Sequence, residues 1–435
     1  MKRLSFSFLI VIVLSFIIVH SCSTEEDDTI APNVVQTPEP EPSAPTQYSL
    51  TVTAGEGGTV SSEGGTYDEG TEVTITATAN EGYKFAGWEG NDTTSERLTI
   101  TLNSNQTFQA LFELKSEKDY WGETSNLVPE FFFADNISEF HRSGILESNT
   151  IITNYFGNYG PIEWWITSFA TSQDEINKLR EIFCQRRLDK NENWTNPNTS
   201  DAPNYDECLS NKWFDYPDNY LLNGTWIFGY NIIVLANGSD EDIFRNFDFQ
   251  IQLHEYFHAV QTNSILPLPS KGGWGWDIPA FFKEGSAHFY QKYVYRKLLL
   301  NGENIDIKPK YLDQNISMRE EFRIDMESLK VLCSEITDFF ESDNNNIFDC
   351  DPYTLGAWGI AFLIDKKGDG DYDSYWKFFY PIIKEKMILT NYNQKSAFSL
   401  ALKEYYGLTL DEFNEEFKIF LELPIEQQLE IIPDI

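Results

Sequence analysis

The pentapeptide His254-Glu255-Tyr256-Phe257-His258 constrains this chain more than any other feature. It reads HExxH and uses two of only five histidines in 435 residues. On a helix, positions i and i+4 lie on one face, so both imidazoles can grip one metal ion. The glutamate between them can then reach a water at that ion and take its proton. The surrounding segment, Phe244 to Val260, is apolar around most of its circumference. Phe247, Ile251, His254 and His258 share one stripe, while Phe249, Leu253, Phe257 and Val260 cover other faces. A helix that is hydrophobic all round is a buried helix, so the fold must supply a core on every side of it. Buried imidazoles without a polar partner are costly, and a metal satisfies them. The competing reading is a pair of core histidines on a structural helix.

Apolar residues make up 41% and aromatic residues 15% of the chain, enough for a sizeable core, and the length suits two or three domains. The formal charge is −36. Such a surface repels phosphate backbones and anionic lipid headgroups, which argues against nucleic-acid binding.

The N-terminus reads as a targeting segment. Met1-Lys2-Arg3 is a positive region, Leu4 to Val19 is apolar, and Val19-His20-Ser21-Cys22 follows. This resembles a bacterial lipoprotein leader of residues 1–21, cleaved before a Cys22 that becomes lipid-modified; Val19 departs from the usual leucine. The acidic run Ser23 to Asp28 is similar to a surface-export signal of some Gram-negative lipoproteins. A lipid-anchored protein at the outer membrane, facing outward and touching the membrane only through its anchor, is the expectation. Residues 22–47, rich in Pro, Glu, Thr and Ser, read as an extended acidic tether.

Period-two alternation then appears in Tyr48 to Val52, Val73 to Ala77 and Leu98 to Leu102, separated by Gly-rich turns. This pattern predicts a small antiparallel β domain over residues 48–114. Its stretch Gly82-Tyr83-Lys84-Phe85-Ala86-Gly87-Trp88 resembles the GYxFxGW signature of internalin-type B repeats, which implies a spacer or adhesive module without chemistry of its own.

Residues 115–435 read as α+β. Ile162 to Ser168 predicts a strand, and Ser172 to Glu175 a capping box before a helix carrying Ile176, Leu179 and Phe183. The β-branched run Trp226 to Ala236 predicts a strand directly before the histidine helix, and a peptide substrate adding to its edge is one expectation beside an ordinary buried strand. The last third reads as helical, ending in Leu410 to Phe417. Four cysteines follow Cys22, and local pairs Cys184–Cys208 and Cys333–Cys350 are expected, each closing a polar loop.

A catalytic zinc needs three protein ligands and one open position. HExxH supplies two, and Glu284, in Phe281 to His288 (FFKEGSAH), is the best third candidate. HExxH followed by a helix opening on an EGxA-type motif resembles the gluzincin metallopeptidases of the thermolysin clan. The resemblance runs from about Gly224 to Leu421 and implies a zincin-like α+β catalytic domain, with His254, His258 and Glu284 as Zn²⁺ ligands. Glu255 would be the general base and Tyr353, in Asp351 to Trp358, the oxyanion donor, against a plain core or surface tyrosine. Two departures stand out. Twenty-five residues separate His258 from Glu284, more than usual, and this leaves Asp277 as a rival carboxylate. His288 stands where such enzymes often carry an acidic partner to a zinc histidine. Asp369 to Asp373 alternates aspartates without the full spacing of a calcium loop, so a solvated loop is expected. Trp274 and Trp276 are candidate stacking surfaces for a sugar or an apolar side chain.

These residues together predict a surface zinc metallopeptidase acting on extracellular proteins or peptides. No GxMEN-type element precedes HExxH, which favours an endopeptidase. The alternative is an adhesin built on a catalytically silent zincin scaffold.

Overall fold

The computed structural model describes residues 44–168, 170–190, 205–210, 223–227, 230–237, 244–266, 278–302, 316–332, 351–368 and 370–435. Cys22, Trp274, Trp276, Asp277, Cys333, Cys350 and Asp369, with the whole leader and most of the tether, lie outside these residues.

The N-terminal part is all β: β1 (Gln47–Ala54), β2 (Gly58–Val60), β3 (Gly64–Asp68), β4 (Glu72–Ala79), β5 (Tyr83–Glu89), β6 (Arg97–Thr101) and β7 (Gln106–Leu114). They form two sheets, ordered β3-β1-β7-β5 and β2-β4-β6. The period-two residues Leu50, Val52, Ile75, Ala77, Leu98 and Ile100 all enter one core with Trp88, Phe108 and Ala110. One pairing departs from the antiparallel expectation, because β7 returns parallel to β1. In the GYxFxGW stretch, Phe85 and Trp88 are three apart and would face opposite ways on a regular strand. A bulge between Phe85 and Gly87 removes that conflict, and the two rings meet edge-on at 5.6 Å. Gly87 has φ +134°, a value that side chains rarely adopt, which explains its place there.

The remainder is helix-rich α+β with a separate core. Its sheet contains β8 (Glu130–Phe133), β9 (Ile162–Ser168), β10 (Asn223–Ile227) and β11 (Tyr230–Asn237), in the order β10-β11-β9-β8. All seven residues of β9 are buried, as a strand covered on both faces requires. Its single carboxylate, Glu163, accepts hydrogen bonds from the Arg186 and Arg187 guanidinium groups. The run Trp226 to Ala236, expected as one strand, is instead a hairpin: β10 pairs antiparallel with β11, and β11 pairs parallel with β9. Thus β10 and β8 are the edges among the described strands.

The helices are α1 (Glu139–Phe156), α2 (Gln173–Asp189), α3 (Tyr205–Ser210), α4 (Phe244–Ile265), α5 (Ala280–Leu300), α6 (Met318–Leu332), α7 (Pro352–Lys367), α8 (Tyr380–Leu389), α9 (Gln394–Tyr406), α10 (Leu410–Leu421) and α11 (Ile425–Gln428). Ser172 and Glu175 form the expected capping box of α2. A disulfide, Cys184–Cys208, staples α2 to α3. A π-helical turn, Tyr375–Phe379, leads into α8. No helix among the described residues is long and apolar enough to cross a membrane.

Candidate metal centre

Helix α4 runs through the interior, as its sequence demanded: Phe249, Leu253, Tyr256, Phe257 and Val260 are fully buried. Its far end is tied to the segment that follows the β domain, where Trp121 Nε1 donates to the Leu266 carbonyl at 3.1 Å and the Gly122 amide to Asn263 Oδ1 at 2.9 Å. Tyr256 donates its hydroxyl hydrogen to the Gly157 carbonyl and accepts from the Tyr159 amide at 3.0 Å, pinning the helix to the end of α1.

One turn apart on α4, His254 and His258 face α5. His254 Nε2 lies 3.2 Å from His258 Nε2 and 3.4 Å from Glu284 Oε2, and His258 Nε2 lies 3.2 Å from the same oxygen. A tetrahedral ion with bonds of ~2.0–2.1 Å spaces its ligands by about 3.3–3.4 Å. The three donor atoms therefore outline a triangle of the right size for one face of such a shell. Two imidazoles and one carboxylate are also the donor set that suits zinc. The other carboxylate oxygen of Glu284 pairs with Lys283 Nζ at 2.9 Å, which leaves one oxygen for the shared centre. Burial pushes the Glu284 carboxyl up, but His258, His254 and Lys283 outweigh it and hold the group well below the usual carboxylate range.

The other residues singled out from sequence gather here. Glu255, the residue after His254 on α4, is 4% exposed, and its carboxylate acts on Tyr353. Tyr353 opens α7, whose N-terminus is capped by Asp351, the Tyr353 amide donating to Asp351 Oδ1 at 3.0 Å. Its ring lies 5.8 Å from the His254 ring and 6.3 Å from that of His288, centre to centre. Burial first, then the carboxylates of Glu284, Glu255 and Asp351, push the Tyr353 hydroxyl up, so it stays a proton donor. Burial, followed by Lys292 and His254, pushes the His288 imidazole well down, toward its neutral form. The rival ligand Asp277 and the pair Cys333 and Cys350 fall outside the described residues. In the aspartate-rich stretch, Asp373 is buried, accepts from Tyr155 at 2.9 Å, and pairs with Lys297 and Lys377 at 3.4 Å each. It is a structural ion-pair residue rather than part of a solvated loop.

Three features escaped the sequence reading. Gln261 hydrogen-bonds His258 from behind, its Oε1 2.7 Å from Nδ1. Lys283 braces Glu284 as described. Finally, α5 and α7 cross backbone on backbone at Gly285 and Gly356. A Cβ on Gly285 would lie 2.3 Å from the Gly356 carbonyl carbon, and one on Gly356 would lie 2.3 Å from the Phe281 carbonyl oxygen. That crossing sits beside Glu284 and one turn after Tyr353, so it sets their spacing.

Residues 48–116 match the family of the divergent InlB B-repeat domain. No curated protein and no solved structure matches the chain.

Proposed function

We propose that residues 115–435 form a zincin-like, gluzincin-type metallopeptidase unit that hydrolyses peptide bonds as an endopeptidase. The observation that carries this reading is the triangle of His254 Nε2, His258 Nε2 and Glu284 Oε2, with Glu255 and Tyr353 at its side. When bound by these three residues, Zn²⁺ supplies a Lewis acid that polarises a carbonyl and acidifies water.

The protein's own groups do the rest. Glu255 takes a proton from the attacking water and delivers it to the departing amine. Tyr353, kept protonated, donates a hydrogen bond to the oxygen that gains charge. The edge of β10, which pairs with β11 alone among the described residues, is the candidate strand for an extended substrate.

The B-repeat match supports a cell-surface setting, and the lipoprotein-like leader supports attachment through Cys22. Extracellular proteins or peptides are then the substrates. The test is cleavage profiling on a peptide library with zinc-loaded protein. Turnover is expected, and it should vanish with a chelator and fall steeply in Glu255→Gln. Turnover undiminished in either control would overturn the reading.

A further inference from the structure

Behind the His258 ring, on the side opposite the donor triangle, lies a polar cluster that the proposed reaction does not use. Gln261 is its centre: it is 2% exposed and follows His258 by one turn of α4. Its Nε2 lies 3.1 Å from the Lys283 carbonyl oxygen and 3.3 Å from the Tyr380 hydroxyl, and its Oε1 lies 2.7 Å from His258 Nδ1.

These contacts fix a chain of hydrogens. A main-chain carbonyl only accepts, so the Gln261 amide must turn its nitrogen toward Lys283. Its oxygen is thereby left facing His258, and an amide oxygen also only accepts. Nδ1 must then carry the hydrogen, and in a neutral ring Nε2 keeps its lone pair. The reversed amide would set oxygen against oxygen at Lys283.

We propose that Gln261 is a positioning residue that holds His258 as the Nδ1–H tautomer, with the Nε2 lone pair aimed at the centre shared with His254 and Glu284. Its orientation comes from the carbonyl of Lys283, the residue before the third ligand, so one amide registers the histidine helix against the glutamate helix. Tyr380 braces the same amide. It stands at the exit of the π turn, whose Tyr375 hydroxyl reaches Ser286 Oγ on α5 at 3.2 Å. Wider turns of this kind recur at functional sites because they re-aim side chains.

The metal role rests on the proposed function above, whereas the tautomer does not. The test therefore reads both. In the full-length, metal-free protein with ¹⁵N-labelled histidine, imidazole shifts report the tautomer, with His258 assigned by its loss in His258→Gln. Zinc affinity is measured by competition with a chromophoric chelator, and folding by circular dichroism. The wild type should show Nδ1–H at His258. Gln261→Met, similar in volume but without the acceptor, should lose that preference and bind zinc about 10–100-fold more weakly. Gln261→Glu keeps an acceptor for Nδ1 although it sets an oxygen against the Lys283 carbonyl, so it should keep the tautomer. If Gln261→Met does not fold, the wild type and Gln261→Glu decide: Nε2–H at His258 in either overturns the proposal. Unchanged tautomer and affinity in a folded Gln261→Met overturns it as well. A wild type that shows Nδ1–H yet takes up no zinc upholds the tautomer and removes the metal reading instead.

Discussion

Glu255 and Tyr353, both close to the donor histidines, differ in access: the carboxylate is almost sealed, whereas Tyr353 is 42% exposed. That difference separates their expected variants. Glu255→Gln should retain zinc and lose roughly 10²–10⁴ in turnover, the usual weight of a positioned base. Tyr353→Phe should lower kcat by about 10²–10³ with KM nearly unchanged, because the hydrogen bond forms only as charge develops. Steady-state kinetics with parallel zinc analysis checks both, and a Tyr353→Phe enzyme with normal kcat would remove that tyrosine from the chemistry. At this scale the sequence was readable wherever residue type and helical spacing act together. His254 and His258 are scarce residues four apart, and Glu284 stands in a recognisable motif. Gln261 obeys the same geometry, three residues after His258, but its residue type announces nothing. Only the carbonyl of Lys283, brought from another helix, gives it meaning.

Among elements, the crossing of α5 and α7 governs the site's dimensions. Gly285→Ala and Gly356→Ala must each push two backbones apart and should cost about 1–3 kcal/mol or more. Gly144 on α1 provides the contrast, since a Cβ there meets nothing within 4 Å. Gly144→Ala should be neutral or stabilising by up to roughly 1 kcal/mol. Urea denaturation of the three variants makes the comparison, and equal effects would show that the crossing is not tight. The glycines were visible in sequence, but nothing local distinguishes a glycine that admits a neighbouring backbone from one that ends a turn. The hairpin of β10 and β11 was missed for a different reason. Trp226 to Ala236 is a continuous apolar run with no period to read, and Gly229 inside it was the available turn signal. By contrast, Ser172 and Glu175 announced α2 because a cap is a local interaction.

At the scale of the molecule, the β domain and the helix-rich part have separate cores. Calorimetry should therefore show two transitions. Zinc bound by the folded state alone should raise only the larger one, by ~2.7 kcal/mol when its free concentration is a hundredfold above Kd. A chelator should reverse that shift and leave the β-domain transition in place; a shift of both would place the metal elsewhere or join the two units. This division was legible because the period-two texture ends near Leu114. The seating of Glu284 was not, since the next residue, Gly285, packs against Gly356 of α7, far downstream. A consequence follows for the chain as it is made. All three donors have been synthesised by residue 284, yet the surface that seats them arrives much later. A growing copy that stops short of α7 would carry the whole motif without its seat, so the proposed activity would be withheld from it.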